Sequence, residues 1–443
     1  MPVVFLLNVE VTFSFKPPLS NPTISELIRD NTIGSNSGNM IFQASVMRAL
    51  MKKNTQIDFI NTRNEGFRDY EIDRLKDQYD YFVIPLANAF RTGFLTELTN
   101  LRRMVERLDL PCIVTGVGCQ AKLNGKFSTR PEVDEQAKLF VSSVLEHSAT
   151  IGIRGEYTAK YLKNLGFSEG RHFEIIGCPS MFMFGEDLPS PQQHDLTPRS
   201  RINFNRKLAL PAAVHHLLER LLQPFEDYWF VPQNYYDFKL LYAGKPLDKI
   251  NADKDAGTYP LTKDDPICRA GRIRGFLNIP SWIRFIKKGD FTFGTRIHGN
   301  IISVLSGVPT YIFAPDMRVL ELAEYHNIPH RTVREAYDVR DLFGLYDETD
   351  FSSVIRGHRE RFAHYVDFLN KNGLPHIWDG SEQYKDSQTP YDIAVRRTRF
   401  HAPVRPYITH NRLRRKLINR AYGQAQKERK EIIQARKKMD ADL

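Results

Sequence analysis

The sequence predicts an α/β fold of two Rossmann-like domains in tandem, followed by a basic helical extension. Three observations carry this. Apolar β-rich runs alternate with helix-patterned stretches in each half, a Pro-, Asp- and Gln-rich segment interrupts the alternation near residue 190, and the chain turns strongly basic from Arg396 onward. A chain of 443 residues is also long enough to bury more than one core.

The elements follow in order. "MPVVFLLNVEVTF" has no basic lead-in and no small-residue cleavage site, so it reads as a buried first strand rather than a signal sequence. "YDYFVIPLA" (79–87), "LPCIVTGVG" (110–118) and "ATIGIRG" (149–155) are nearly continuous apolar runs, as parallel strands buried on both faces require, and "HFEIIGCPSM" (172–181) adds another. Between them, "FLTELTNLRRMVERL" (94–108) and "EYTAKYLKNLG" (156–166) repeat apolar residues at helical spacing. The polar stretch "GEDLPSPQQHDLTPRS" (185–200) has linker composition and separates a domain over 1–190 from one over 201–345, with 191–200 as the linker. Past it, "RINFNRK" and "DYWFVPQ" read as strands around the helix "AAVHHLLERLLQPF". "SWIRFIKKGDFTFGTRIHGNIISVLSGVPTYIFA" then gives helix, strand, helix, strand. Residues 346–395 form a helical segment with a helix over 352–371, and 396–443 a basic tail with a long helix over 411–438. Two such sheets in tandem suggest a GT-B-like arrangement.

The charge is unevenly placed. From Arg396 to Lys438 there are 15 Lys and Arg against Glu428 and Glu431, so most of the formal net charge of +10 resides in the tail and the body is near neutral. The pI of about 9.2 is therefore no nucleic-acid signature of the body, and no nucleic-acid partner is expected. No run reaches the ~18 apolar residues of a membrane span, which leads to an expectation of a cytoplasmic protein. Cys112, Cys119, Cys178 and Cys268 lie far apart with no Cys-x-x-Cys pair, which argues against a zinc site or a disulfide framework.

Ligands of open α/β sheets bind at the carboxyl ends of strands, where helix N-termini present free amides to anions. Four glycine- or arginine-marked segments have that form: "TIGSNSGNMIFQAS" (32–45), "TGVGCQ" (115–120), "NFNRK" (203–207) and "GTRIHGN" (294–300). None matches a dinucleotide or Walker A fingerprint. Period-2 alternation predicts that Arg296 and His298 share one side of a strand end with Ile297 opposite, and that a helix over Gly299 to Leu305 adds amides from Gly299 and Asn300. A guanidinium forks onto phosphate or carboxylate, and an imidazole supplies a proton near neutral pH, so the pair suits a small doubly anionic molecule whose reaction needs an acid. Arg206 adds a cation from the second domain's first loop. Arg318 either reaches the same anion or pairs with Asp316, and Arg154 either serves the site or forms a structural ion pair. Adjacent His215 and His216 face different directions on a helix and make no metal pair, and Cys119 reads as a packed thiol.

"FGTRIHGNIISVLSGVPTYIF" resembles the signature of the polysaccharide pyruvyl transferase family, in which an Arg-x-His element precedes a helix and a Gly-x-Pro-containing strand. "NSGNMIFQAS", "VTGVGCQ", "IGIRGEYTAKYLKNLG" and "IGCPSMFM" are similar to further family segments in the same order, over residues 30 to 330. Asn39 and Cys178 stand where many members carry Asp. The resemblance implies transfer of a pyruvyl group from phosphoenolpyruvate, a substrate rather than a cofactor, to two hydroxyls of a sugar or lipid-linked oligosaccharide. It implies His298 as catalytic acid, with Arg296 and Arg206 on the donor; by their placement at strand ends and the helix start, Arg318, Gly299 and Asn300 are expected on the donor as well. Asn36, Gly38, Asn39, Gly116 and Gly118 lie on acceptor-side loops, and no metal or cofactor is implied. A lipid-linked acceptor would place the basic residues 396–443 against an anionic membrane face, making the protein peripheral there. Two other readings fit the same residues: a GT-B glycosyltransferase using a nucleotide sugar, and a non-catalytic sugar- or membrane-binding protein.

Overall fold

The computed structural model describes residues 3–8, 21–33, 36–61, 69–127, 130–247, 257–384, 388–407 and 412–441. In the carboxyl-terminal half five strands form one parallel sheet, in the order Asp227–Phe230, Arg201–Asn205, Phe291–Gly294, Thr310–Ala314, His330–Thr332. Both faces are covered, so these strands are apolar along most of their length: Phe204, Phe230, Phe291, Phe293 and Phe313 are all buried, and the Phe204 and Phe230 rings stack 5.1 Å apart. The chain leaves Arg201–Asn205 for the neighbour on one side and then returns to Phe291–Gly294 on the other. That reversal of strand order opens a crevice at the carboxyl ends of those two strands.

In the amino-terminal sheet Tyr81–Pro85 and Cys112–Thr115 pair in parallel as expected, but the first strand runs the other way. The sheet order is Gln56–Asn61, Val3–Asn8, Tyr81–Pro85, Cys112–Thr115, and Val3–Asn8 runs antiparallel to both neighbours. An apolar run marks burial and carries no information about strand direction, which is why the sequence did not reveal this. Ile151–Ile153 and Phe173–Ile175 pair in parallel beside it, tied in through a bridge from Val117 to Ile153.

Each sheet has its own apolar core, and a third cluster joins the two halves. It centres on helices Asn39–Leu50 and Ile297–Leu305, where Met40, Ile41 and Met47 belong to the same buried cluster as Ile301, Ile302 and Leu305. Both helices are buried nearly throughout, which explains their weak amphipathic patterning in sequence. Asn300 is tolerated there because its amide donates to Arg296 O at 2.8 Å and accepts from Thr310 Oγ1 at 2.9 Å.

The helix expected over 352–371 is split: a 3₁₀ turn, Phe351–Val354, precedes Gly357 at φ 70°, and the α-helix spans His358–Lys371. The long basic helix is present as Arg412–Ala441. Its middle docks on Ile24–Asp30 and Tyr235–Ala243 through buried Ala425 and through Arg429, whose guanidinium lies 5.3 Å from the Tyr235 ring centre. Among the described residues no helix is long and apolar enough to cross a membrane.

Candidate active site

The crevice between the two sheets widens into a cavity of about 450 Å³. Its amino-terminal wall comes from Asn36, Asn39, Phe42, Gly116, Arg154 and Cys178, and its carboxyl-terminal wall from Lys207, Gln233, Arg296, His298, Asp316 and Arg318. Another sizeable cavity, about 490 Å³, lies under the tail and touches none of the four glycine- or arginine-marked segments.

Arg296 and His298 do converge here, for a different reason than strand alternation. The strand ends at Gly294, Arg296 is the extended N-cap residue, and the helix begins at Ile297 rather than Gly299. His298 is thus on the first helical turn. Arg296 is anchored by its backbone N–H to Asn205 Oδ1 at 2.8 Å and by its guanidinium to Asn234 Oδ1. His298 is 8% exposed, stacks on Phe42 with ring centres 6.4 Å apart, and places Nε2 3.7 Å from Cys178 Sγ. Burial, and then the nearby Arg154 and Arg296, press its pKa down to about 3. The imidazole is therefore neutral near pH 7, and the imidazolium expected from sequence requires an anion in the cavity.

Arg206 is not in the cavity. Its guanidinium is buried among the Phe204, Phe230 and Tyr259 rings and donates to Thr258 O at 2.6 Å and Thr258 Oγ1 at 3.0 Å. Successive side chains past a strand end point opposite ways, and it is Lys207 that faces the cavity. Lys207 Nζ lies 3.2 Å from Asp316 Oδ2, and Arg318 grips the same carboxylate through Nε at 3.1 Å and Nη2 at 2.6 Å. Burial opposes ionisation of Asp316, but Arg318 and Lys207 together hold it at about 2. Arg318 therefore pairs with Asp316 and lines the site as well. Arg154 also does both: it lines the cavity, donates to Ala87 O and Gly116 O, and sits 3.8 Å from Glu321.

Gly299 and Asn300 do not face the cavity; a side chain on Gly299 would collide with Gln233 and Asn205, and Asn300 is fully buried in its hydrogen bonds. Asn36, Asn39 and Gly116 line it, whereas Gly38 and Gly118 act by leaving room for His298 and Arg154. Cys119 is a packed thiol, pushed up to about 12 chiefly by burial. His215 is sealed, with Nε2 3.1 Å from Leu208 O, and His216 is exposed.

Sequence reasoning missed Arg91, Lys207, Gln233, Asn234 and Asp316 as site residues. Lys207 closes one of the four marked segments and Gln233 the strand-like run "DYWFVPQ", so their positions were visible although their roles were not. The cavity carries Arg91, Arg154, Lys207, Arg296 and Arg318 against Asp316, the one carboxylate among the described residues of its lining. Such an arrangement is suited to a small polyanion, with an imidazole beside it whose proton affinity would rise were an anion bound there.

Loose likenesses to solved structures exist. A Listeria monocytogenes protein assigned as a UDP-N-acetylglucosamine 2-epimerase is 11% identical over 72% of this chain and 80% of that one, with a TM-score of 0.38. Staphylococcus MnaA, determined with UDP, is 10% identical over 74% and 82%, with a TM-score of 0.37. The glycosyltransferase SnogD from Streptomyces nogalater is 11% identical over 81% and 85%, with a TM-score of 0.32. No curated protein matches the chain. The family model for polysaccharide pyruvyl transferases matches residues 36–317, a span that takes in most of both walls of the cavity, and the chain belongs to that family.

Proposed function

We propose that the protein transfers a pyruvyl group from phosphoenolpyruvate to two hydroxyls of one sugar, on a polysaccharide or its lipid-linked precursor, closing a cyclic ketal and releasing phosphate. The observation that carries this reading is the cation-rich cavity between the two halves, built largely from residues within the family match.

Phosphoenolpyruvate presents a phosphate and a carboxylate on one alkene carbon. Arg296, Lys207 and Arg318 hold these anions, with Arg154 on the opposite wall. The charge they bind offsets the cationic field on His298, which takes up a proton and delivers it to the methylene carbon. The first sugar hydroxyl bonds to the neighbouring carbon and returns its proton to the now neutral His298. Phosphate then leaves with its bridging oxygen, and the second hydroxyl closes the ring, its proton leaving with phosphate. Atoms balance: one phosphoenolpyruvate and one diol give one ketal and one inorganic phosphate.

A cytoplasmic site for this reaction fits the donor, and the basic tail supports a peripheral position on an anionic membrane face. To test the reading, purified protein is given phosphoenolpyruvate or a UDP-sugar with a glycan panel. Phosphate release from the former that depends on acceptor supports it. Nucleotide release from the latter, with none from the former, would replace it with glycosyl transfer.

A further inference from the structure

Gln233 lies just past the edge strand Asp227–Phe230, lines the cavity and is 1% exposed. Both polar atoms of its side-chain amide, Nε2 and Oε1, lack a hydrogen-bond partner among the described residues. Its backbone is fixed: the carbonyl accepts from Ser37 N at 2.8 Å, and the next residue, Asn234, bridges to Asn36 and holds the Arg296 guanidinium. Space for the amide is made by a glycine from each half. A Cβ on Gly38 would sit 3.0 Å from Gln233 Oε1, and one on Gly299 2.5 Å from Nε2.

Burying an amide with neither end paired is costly, and an apolar side chain of the same shape would remove that penalty. The unsatisfied pair therefore points to a ligand that both donates and accepts. A phosphate or carboxylate accepts only and would satisfy one end; a pair of neighbouring hydroxyls satisfies both, one accepting from Nε2 and the other donating to Oε1. Such a pair remains the right complement if the amide is turned over.

Resting on the pyruvyl-transfer reading, we infer that Gln233 is a specificity-determining residue that binds the acceptor's hydroxyl pair and sets which diol faces the donor. Arg296, one side chain away through Asn234, links that register to the anion site.

The experiment compares native protein with Gln233→Met, a near-isostere, and Gln233→Glu, which keeps the shape and the acceptor end. Equilibrium binding is measured for phosphoenolpyruvate and for methyl glycosides of galactose, mannose and glucose with their single-deoxy analogues. Native protein is expected to prefer one diol over its deoxy analogue by about tenfold or more, the effect of one to two lost hydrogen bonds. That preference should collapse in both variants, with phosphoenolpyruvate affinity within about twofold. Gln233→Met should be at least as stable as native to urea, which a merely structural glutamine would not allow. Unchanged glycoside selectivity, no glycoside binding by native protein, or a loss confined to phosphoenolpyruvate would each overturn the inference. Ketal formation is followed separately on the same samples: selectivity without ketal leaves the Gln233 assignment standing and removes the reaction, and ketal with unaltered selectivity does the reverse.

Discussion

A Cβ on Gly38 would lie 2.8 Å from Nδ1 of His298, so a glycine of the amino-terminal half and the histidine of the carboxyl-terminal half share one van der Waals boundary. Gly38 is also the N-cap of the buried helix Asn39–Leu50, so the contact is set by a rigid element. Gly38→Ala should push the imidazole off its position, lowering kcat by about 10- to 100-fold and costing about 1–3 kcal/mol in urea unfolding. A variant with native kcat would show that the imidazole has room to spare.

Neighbouring cations have opposite jobs. Lys207→Ala removes a cavity charge and should weaken phosphoenolpyruvate binding about tenfold or more, with little change in the unfolding midpoint. Arg206→Met should leave donor affinity near native while destabilising the fold by about 1–3 kcal/mol, because Thr258 O and its hydroxyl lose their donor in a partly buried place. Calorimetric titration and urea unfolding of both variants decide between this assignment and the reverse.

The buried imidazole makes a pH prediction. Its folded pKa of about 3 lies below the ordinary 6.5, so between those values the unfolded chain binds the extra proton. The stability due to neutral His298 is therefore complete above pH 6.5 and is lost as pH falls toward 3, by ~1.4 kcal/mol per pH unit. His376, held at about 4 mainly by burial, adds a similar slope over pH 6.5 to 4. Urea unfolding at pH 7, 6 and 5 should show a shallower decline for His298→Gln than for native protein. Parallel curves would show that His298 titrates in the folded protein as it does in the unfolded chain.

Membrane docking is tested by charge, because deleting the tail would also strip Arg429 and Ala425 from the body. Arg412, Arg415, Lys416 and Arg420 lie in the exposed first turns of Arg412–Ala441. Replacing these four with Gln should cut binding to phosphatidylserine vesicles steeply, at ~1 kcal/mol per charge, and leave neutral vesicles unaffected. Equal binding of native and substituted protein would remove the membrane role.

Much of this was legible in the sequence, and the remainder was hidden for physical reasons. Continuous apolar runs located the parallel strands Tyr81–Pro85 and Cys112–Thr115 of the amino-terminal half, strand–helix alternation located most of those of the carboxyl-terminal half, and the Arg-x-His element located the cavity. Strand direction in Val3–Asn8 was invisible because pairing is set by partners far along the chain. The choice between Arg206 and Lys207 turned on which side of a strand end each faces, a one-residue question that residue type leaves open. Gln233 escaped notice because its interest lies in missing partners, which only a packed structure reveals.

The central claim is that phosphoenolpyruvate becomes a sugar ketal in the cavity containing His298. Its most direct test is mass analysis of the acceptor after incubation with phosphoenolpyruvate and either native protein or His298→Ala. The account predicts a ketal mass increment from native protein, with phosphate released one for one. His298→Ala, folded and still binding the donor, should fall in rate by about 10²–10⁴. Ketal formation at a near-native rate by His298→Ala, or none by native protein across the glycan panel, would contradict it.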